Sequence, residues 1–332
     1  MAHMKRREFI TLVGGAAAAW PLAARAQQAE RVRRIGVLMT LTQRDPEARA
    51  WVTAFKEGLQ ELGWDQDRNV RIDYRWSAGD PGRIWALAAE LAQLAPDVIL
   101  CSGAQATTVL QQVARTVPIV FVQVADPIGT DLAPILVRGG GNITGFIHFE
   151  YAIIGTWLEA LKETAPGISR VLTIHNPDNL AWPGWLHAAS RAAASVGMTL
   201  TPGEVRDRED IKRTISAHAQ GPNGGMIVFP DTITSLNRKQ IIALAGHHRI
   251  PAIYPFRFFV TDGGLISYGS DPLDLWRRSA SYVDRIIRGE SAGDLPVQAP
   301  TKFELVINLK TAKALDLAVP PTLLARADKV IE

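Results

Sequence analysis

The sequence of 332 residues has a single cysteine, Cys101, and no long apolar run after residue 26. One cysteine can form no internal disulfide and cannot build a four-thiolate zinc site. A transmembrane helix needs ~20 consecutive apolar residues, so no span is predicted beyond residue 26. Hydrophobic residues make up 47% and charged residues 21%, which excludes extensive disorder. At about 150 residues per domain, the chain is long enough for two domains.

Catalytic motifs are also missing. The chain has no nucleophile elbow, no Walker loop, no dinucleotide-binding glycine fingerprint after a strand and no His-Glu-x-x-His pair. The glycines at 139–141 lead into a predicted strand, whereas a phosphate-binding loop leads into a helix. We therefore predict that the protein is not an enzyme and holds no cofactor and no metal.

Beyond the N-terminal segment, the chain has no excess of positive or negative charge. The net charge is +3, and residues 1–26 alone carry Lys5, Arg6, Arg7 and Arg25 against Glu8. The remaining chain has equal numbers of basic and acidic side chains. Such a neutral body gives no electrostatic reason to expect binding to nucleic acid or to an anionic membrane.

The N-terminal segment has the features of an export signal. Its basic residues precede an apolar run from Phe9 to Ala24, and Ala24-Arg25-Ala26 gives the small-x-small pattern of signal peptidase sites. Paired arginines before Phe9 are typical of twin-arginine export. Residues 1–26 are predicted to be a signal peptide, with residues 1–3 as a cloning remnant and a periplasmic mature protein. The alternative is an uncleaved N-terminal anchor.

The rest of the chain alternates short apolar runs with helical patterns. Arg34–Met39 is a predicted buried strand, and Asp45-Pro46 then offers an N-cap and a first-turn proline to a helix. Two such β/α sets of about 120 residues follow each other without a linker, which indicates an α/β protein with two similar lobes. Ligands of open α/β sheets bind at the carboxyl ends of the strands, so binding residues are expected at those ends.

The predicted ligand-binding residues are small, polar or aromatic and stand at or near strand ends: Thr42, Gln43, Ser102, Gly103, Ala104, Gln105, Ala125, Asp126, Phe146, His148, Asn176, Asn179, Trp182, Asp231, Thr232, Tyr254, Arg257 and Tyr268. Each type has an alternative interpretation. The polar residues could equally cap helices, and Asp126 could cap its own turn. The aromatic residues could belong to the core, and Arg257 binds either a ligand carboxylate or an acid such as Asp262. His148 either donates to a ligand or is a solvated hinge residue.

One long stretch resembles a known family. Val124–Phe146, with the sequence VADPIGTDLAPILVRGGGNITGF, is similar to the A-D-P-[IV]-G…P-G-G-N-[IV]-T-G core of bacterial ABC-transporter substrate-binding proteins of the tryptophan/tyrosine type. Gly139 stands where the family usually has proline. Supporting similarity lies in Gly263–Gly269 and Val319–Leu323, so the resemblance extends from about residue 33 to the C-terminus.

The resemblance implies a two-lobe periplasmic-binding-protein fold, in which each lobe is a parallel-sheet three-layer α/β sandwich and hinge crossings join the lobes. Lobe one would comprise residues 32–147 and about 270–295, and lobe two residues 148–269 and about 300–332. The segment at 306–309 remains open to either lobe. A ligand would be enclosed between the lobes, and the partners would be an ABC permease and its ATPase.

We therefore predict a soluble, monomeric solute-binding protein that delivers a small molecule to an ABC importer by hinge closure. The family and the aromatic residues near the strand ends favour an aromatic amino acid or aromatic carboxylate. An aliphatic amino acid or another small organic acid is the alternative ligand. The alternative role is a ligand-sensing module that reports to a receptor.

Overall fold

The computed structural model describes residues 32–125, 141–179 and 181–332. The predicted signal peptide and the candidate ligand residue Asp126 lie outside the described residues, as does most of the stretch that carries the family resemblance. In the described part of the chain, no helix is both long enough and apolar enough to cross a membrane.

Two sheets form the framework. The strands are β1 (Arg33–Met39), β2 (Val70–Trp76), β3 (Val98–Ser102), β4 (Ile119–Ala125), β5 (Ile143–Phe149), β6 (Arg170–His175), β7 (Thr199–Glu204), β8 (Gly224–Val228), β9 (Ala252–Tyr254), β10 (Ile266–Ser270), β11 (Phe303–Asn308) and β12 (Lys329–Ile331). The first sheet has the order β2-β1-β3-β4-β5 and is parallel throughout. The second has the order β12-β11-β10-β9-β8-β6-β7.

The second sheet departs from the predicted parallel pattern at one place, because β11 runs antiparallel to β10. The chain leaves the carboxyl end of β10, packs a helix on the first sheet, and returns to the second sheet. It thus re-enters from the end at which it left, and β11 runs in the reverse direction. Its pairing with β10 and β12 puts residues 306–308, which the sequence left open, in the second sheet.

The helices cover both sheets. They are α1 (Pro46–Glu61), α2 (Pro81–Gln93), α3 (Gly103–Val113), α4 (Ile153–Thr164), α5 (Trp182–Ser195), α6 (Arg208–His218), α7 (Thr232–Leu236), α8 (Arg238–His247), α9 (Arg257–Thr261), α10 (Pro272–Ile287), α11 (Leu309–Ala314) and α12 (Pro321–Leu324). Helices α1, α2, α3 and α10 pack with the first sheet to form what we call the first unit, and the others form the second unit with the second sheet.

Asp-Pro pairs begin three of these helices. The carboxylates of Asp45, Asp80 and Asp271 each accept a hydrogen bond from an amide in the first turn, and the proline that follows has no amide to leave unpaired. The predicted starts of α1 and α2 are confirmed by these bonds.

The chain passes between the units three times, after β5, after β10 and before β11. The third passage runs beside β5. Gln298 N donates to Gly145 O at 2.9 Å, and Ile147 N donates to Gln298 O at 2.9 Å. These bonds hold the returning segment parallel to β5 at the point where both connect the units.

Candidate functional site

A cleft separates the carboxyl ends of the two sheets. Its empty volume is about 580 Å³ when the open solvent at its mouth is counted. Residues from both units line it: Thr40, Leu41, Trp51, Gly103, Ala104, Gln105, Gln123, Ala125, His148, Asn179, Pro230, Asp231, Thr232, Ser235 and Phe256. Loops after β1, β3, β6, β8 and β9 supply most of them, as expected for parallel strands.

The N-terminus of α3 forms part of the first unit's wall. Ser102 precedes the helix, but its hydroxyl makes no capping bond to it. Instead, Ser102 Oγ accepts from Thr40 N at 3.0 Å and pairs with Thr40 Oγ1 at 3.1 Å. The first amides of α3, at residues 103–105, therefore have no side-chain cap and carry the positive end of the helix dipole at the cleft.

Asp231 lies on the opposite wall. Asn179 Nδ2 donates to its Oδ2 at 2.8 Å, and Ile233 N donates to its Oδ1 at 2.8 Å. Burial raises the pKa of Asp231, and these hydrogen bonds only partly offset the effect. Among the described residues, no basic side chain lies within 4 Å of this carboxylate. Asp231 is thus a carboxylate without a cationic partner there, suited to bind an ammonium group.

His148 lies deep in the cleft with 6% of its surface exposed. Its ring centroid is 4.7 Å from that of Phe149 and 5.7 Å from that of Phe256. Neither ring nitrogen has a hydrogen-bond partner within the described part of the chain. Burial lowers the pKa of His148 to about 3, so the ring is neutral at pH 7 and offers one donor and one acceptor.

Trp51 supplies an aromatic wall. Its ring stacks on Trp276 with 6.1 Å between centroids, and Trp276 Nε1 donates to Gln123 Oε1 at 3.2 Å. Gln123 has a φ of 62° at an irregularity in the β4–β5 pairing, which turns this strand residue toward the tryptophan pair. Trp51 Nε1 is buried, and no acceptor for it is found among residues 32–125, 141–179 and 181–332.

An ion pair outside the cleft lining joins the units. Arg238, at the start of α8, contacts both Asp45 of the first unit and Asp262 of the second. Burial alone lowers the pKa of Arg238, but the hydrogen bonds and charges of the two carboxylates outweigh it and raise that pKa. Trp51 and Phe258 add an aromatic contact between the units, with centroids 6.4 Å apart. The ion pair and this aromatic contact both join the first unit to the second.

Eight of the predicted ligand residues line this cleft: Gly103, Ala104, Gln105, Ala125, His148, Asn179, Asp231 and Thr232. Two more stand directly behind it. Ser102 holds Thr40, and Asn176 Nδ2 lies 3.4 Å from Asp231 Oδ1. Thr42 is absent from the lining, and Gln43 lines a different groove on the first unit.

Three predicted aromatic ligand residues lie elsewhere. Tyr254 is buried in the core, where it stacks on Phe259, because β9 ends with this side chain pointing inward. Tyr268 stacks on Phe303 on a neighbouring strand. Trp182 stacks on His175 and does not line the cleft. Tyr254 thus belongs to the core, whereas Trp182 and Tyr268 are partly buried and pack against it.

Arg257 and Phe146 also take other positions. Arg257 Nη1 lies 3.7 Å from Glu304 Oε1, so it has an acidic partner within its own unit. Asp262, the acidic partner expected from the sequence, pairs with Arg238 instead. Phe146 is fully buried and packs against Tyr282 at 4.8 Å.

The sequence-based choice missed seven lining residues: Thr40, Leu41, Trp51, Gln123, Pro230, Ser235 and Phe256. Most of these seven residues stand within two positions of a predicted strand-end residue. The sequence therefore identified the strand end correctly but not the particular residue that faces the cleft. Trp51 has no such signal, because its place depends on the distant Trp276. Within the described residues, no group of three or more histidine, cysteine or acidic side chains could hold a metal ion.

Comparison with known proteins gives a consistent result. Residues 35–331 match the family described as ABC transporter substrate binding protein. A tyrosine-binding protein of Clostridioides difficile (strain R20291) is 22% identical over 263 residues, covering 79% of this chain and 75% of that protein.

Solved structures share the fold. A conserved domain protein from Vibrio cholerae superposes with a TM-score of 0.84 at 24% identity, covering 90% of this chain and all of that one. An ABC domain in complex with L-tryptophan from Streptococcus pneumonia gives 0.83 at 22% identity, covering 90% and 99%. The ligand-free, open structure of a substrate-binding protein with adhesive properties from Clostridium difficile gives 0.67 at 22% identity, covering 90% and 99%.

Proposed function

Because this chain belongs to the family of ABC transporter substrate-binding proteins, we propose that it carries an amino acid in the cleft to an ABC importer. The family is typically extracytoplasmic, which supports the predicted export to the periplasm after removal of residues 1–26. The proposed partners are a permease and an ATPase, and the mature protein is proposed to act as a monomer.

One observation carries the amino-acid assignment: the lining of the cleft includes both a helix N-terminus and a carboxylate, the groups that suit the two charges of an amino acid. The uncapped amides of α3 are on one side, and Asp231 is on the other. The walls approach closely there, since a Cβ added at Gly103 would lie 3.9 Å from Thr232 Oγ1. A ligand carboxylate at the helix N-terminus and an ammonium at Asp231 would satisfy both groups.

The remaining lining favours an aromatic side chain with a polar atom. Leu41, Trp51 and Phe256 offer apolar surface, and Trp51 Nε1 and His148 are buried polar groups that a ligand could satisfy. A leucine side chain would leave those groups unpaired at an energetic cost. The relatives that bind tyrosine and L-tryptophan support the same ligand class.

Hinge closure is part of the proposal because residues of both units line the cleft. The α3 amides, Trp51 and His148 line the cleft from the first sheet and its helices, whereas Asp231 and Phe256 line it from the second unit. A ligand that contacts both favours the closed form by its differential affinity for that form. The permease would then recognise the closed form.

A binding experiment tests the proposal. Mature protein is titrated calorimetrically with L-tyrosine, L-tryptophan, L-phenylalanine and L-leucine, and melting points are recorded at saturation. A ligand at 100 times its Kd adds about 2.7 kcal/mol, enough for a shift of a few degrees. We expect tyrosine or tryptophan to bind tightest. Binding of leucine alone would transfer the assignment to aliphatic amino acids, and binding of none would reject an amino acid.

Asp231→Asn tests the placement of the ammonium. It should weaken tyrosine binding by about tenfold or more, since a hydrogen bond to a charged group contributes ~1.5–3 kcal/mol. The variant should leave 3-(4-hydroxyphenyl)propionate, which has no amine, nearly unaffected. Asp178→Asn is the matched control, because Asp178 is exposed beside the same loop and does not line the cleft. Equal losses with both compounds would place the ammonium elsewhere.

A further inference from the structure

The first unit has a second groove, separate from the cleft. Its empty volume is about 1200 Å³, including open solvent. One face of α1 forms a wall, because Arg49, Val52, Thr53 and Lys56 follow the helical spacing of three and four. The edge strand β2 provides the floor, and Gln43, Arg44 and Gln66 complete the lining. None of these residues lines the cleft between the units.

The groove carries positive charge that the described residues do not neutralise. Arg44, Arg49 and Lys56 line it, and no carboxylate of the described residues lies within 4 Å of any of them. Other arginines of the same unit are paired: Arg34 contacts Asp73 at 2.7 Å, and Arg75 contacts Glu90 at 2.8 Å. Three cations on one concave surface make the local potential positive and favour the approach of an anion.

The floor of the groove is aromatic. Tyr74 and Trp76 are two positions apart on β2, so their side chains share one face of the strand. Their rings stack with centroids 6.4 Å apart and an interplanar angle of 21°. The hydroxyl of Tyr74 is buried and has no hydrogen-bond partner in the part of the chain that the structure describes. These two rings give the groove an aromatic floor, which a planar ring can contact.

We propose that this groove binds a planar aromatic ring that carries two or more negative charges. The ring stacks on Trp76 and Tyr74, and the charges lie against Arg44, Arg49 and Lys56. Both nucleotides and aromatic polycarboxylates have this chemistry. The site is independent of the amino-acid cleft, because it depends on no residue of that cleft.

Calorimetric titration of the mature protein with defined probes tests the proposal. The probes are AMP and benzene-1,3,5-tricarboxylate, and the controls are citrate, which is charged but not planar, and benzoate, which is planar with one charge. We expect AMP or the tricarboxylate to bind at least about tenfold tighter than either control, and increasingly weakly as salt rises. Tighter binding of AMP would assign a nucleotide, and tighter binding of the tricarboxylate an aromatic acid. Equal binding of citrate would overturn the stacking role.

Variants locate the bound probe. The double substitution R49Q/K56Q should weaken binding about fivefold or more, and Trp76→Ala should weaken it about tenfold. Trp76→Phe, which keeps a ring, should restore most of the affinity. The matched controls are Arg115→Gln and Trp85→Ala, which change exposed residues outside the groove. Equal effects of groove and control variants, or no binding of either probe, would overturn the proposal.

Discussion

Asp45 and Arg238 form a buried ion pair between the two units. Arg238 Nη1 lies 2.7 Å from Asp45 Oδ2, and the two side chains are only 7% and 9% exposed. Asp45 also caps α1, and Arg238 opens α8, so the pair connects the starts of two helices. Opening of the cleft by the proposed hinge motion would separate them, so we expect this contact only in the proposed closed form.

Asp45→Asn should therefore shift the protein toward the open form. A broken buried pair costs ~3–5 kcal/mol, but opening returns Arg238 to water and recovers much of this. We expect affinity for the amino-acid ligand to fall about tenfold, because a smaller fraction of the protein is closed. Calorimetry measures the affinity, and small-angle scattering of the free protein measures the change in radius of gyration.

Asp262→Asn is the matched control, since Asp262 pairs with the same guanidinium at 2.8 Å but belongs to the second unit. It should lower the free energy of unfolding without changing the radius of gyration. If both variants changed affinity and shape equally, the Asp45 contact would have no special role in closure.

We expect the free energy of unfolding to fall in acid because His148 is buried as a neutral ring. Its pKa is about 3 in the folded protein and about 6.5 when unfolded, so the folded state disfavours the proton. The neutral ring contributes fully above pH 6.5, and that contribution is lost as pH falls from 6.5 toward 3. We expect the wild type to lose about 2 kcal/mol more than His148→Gln between pH 7 and pH 5, measured by urea unfolding.

Other histidines also contribute to the pH dependence of stability. Burial also lowers the pKa of His175, to about 4, so some acid sensitivity should persist in His148→Gln. His187→Gln, on α5 outside the cleft, is the control and should follow the wild type. Parallel pH curves for wild type and His148→Gln would contradict the burial of a neutral ring at position 148.

Local signals explain what the sequence predicted well. Asp45-Pro46 and Asp80-Pro81 identified helix starts because an N-cap acts within one turn. Strand ends located both walls of the cleft because parallel strands bring their carboxyl ends together. His148 and Asp231 were found in this way, although His148 lies within β5 rather than after it.

Side-chain direction and distant contacts explain what it missed. Tyr254 and Phe256 are two residues apart at one strand end, yet only Phe256 reaches the cleft, because β9 stops at Tyr254 and the chain turns into α9. Trp51 reaches the cleft by stacking on Trp276, and Arg238 meets Asp45 from another unit. Such pairings depend on how the units pack, which no local pattern records.

The substitution Trp51→Phe distinguishes two contributions of Trp51 to ligand binding, a hydrogen bond from its indole and the packing of its ring. The phenyl ring keeps contact with Trp276 but removes the buried indole donor, which has no partner among the described residues. If a bound ligand accepts that hydrogen bond, affinity should fall about three- to tenfold, since a net hydrogen bond contributes ~0.5–1.5 kcal/mol. Trp185→Phe removes an equally buried indole donor in the second unit, away from the cleft lining, and should leave affinity unchanged. If Trp51→Phe and Trp185→Phe had equal effects on ligand affinity, Trp51 would act only through packing.

Gly269→Ala should test how closely the second sheet packs near the crossing. A Cβ at Gly269 on β10 would overlap the carbonyl oxygen of Pro255 and press on Phe149, which is the last residue of β5. Because backbone must move to make room, we expect a loss of at least about 2 kcal/mol in the free energy of unfolding. Gly155→Ala is the matched control: it lies in α4 with nothing within 4 Å of the added atom, so it should raise stability by about 0.5 kcal/mol. Urea unfolding of the three proteins measures both effects, and a Gly269→Ala variant as stable as wild type would mean that β9 and β10 are free to separate there.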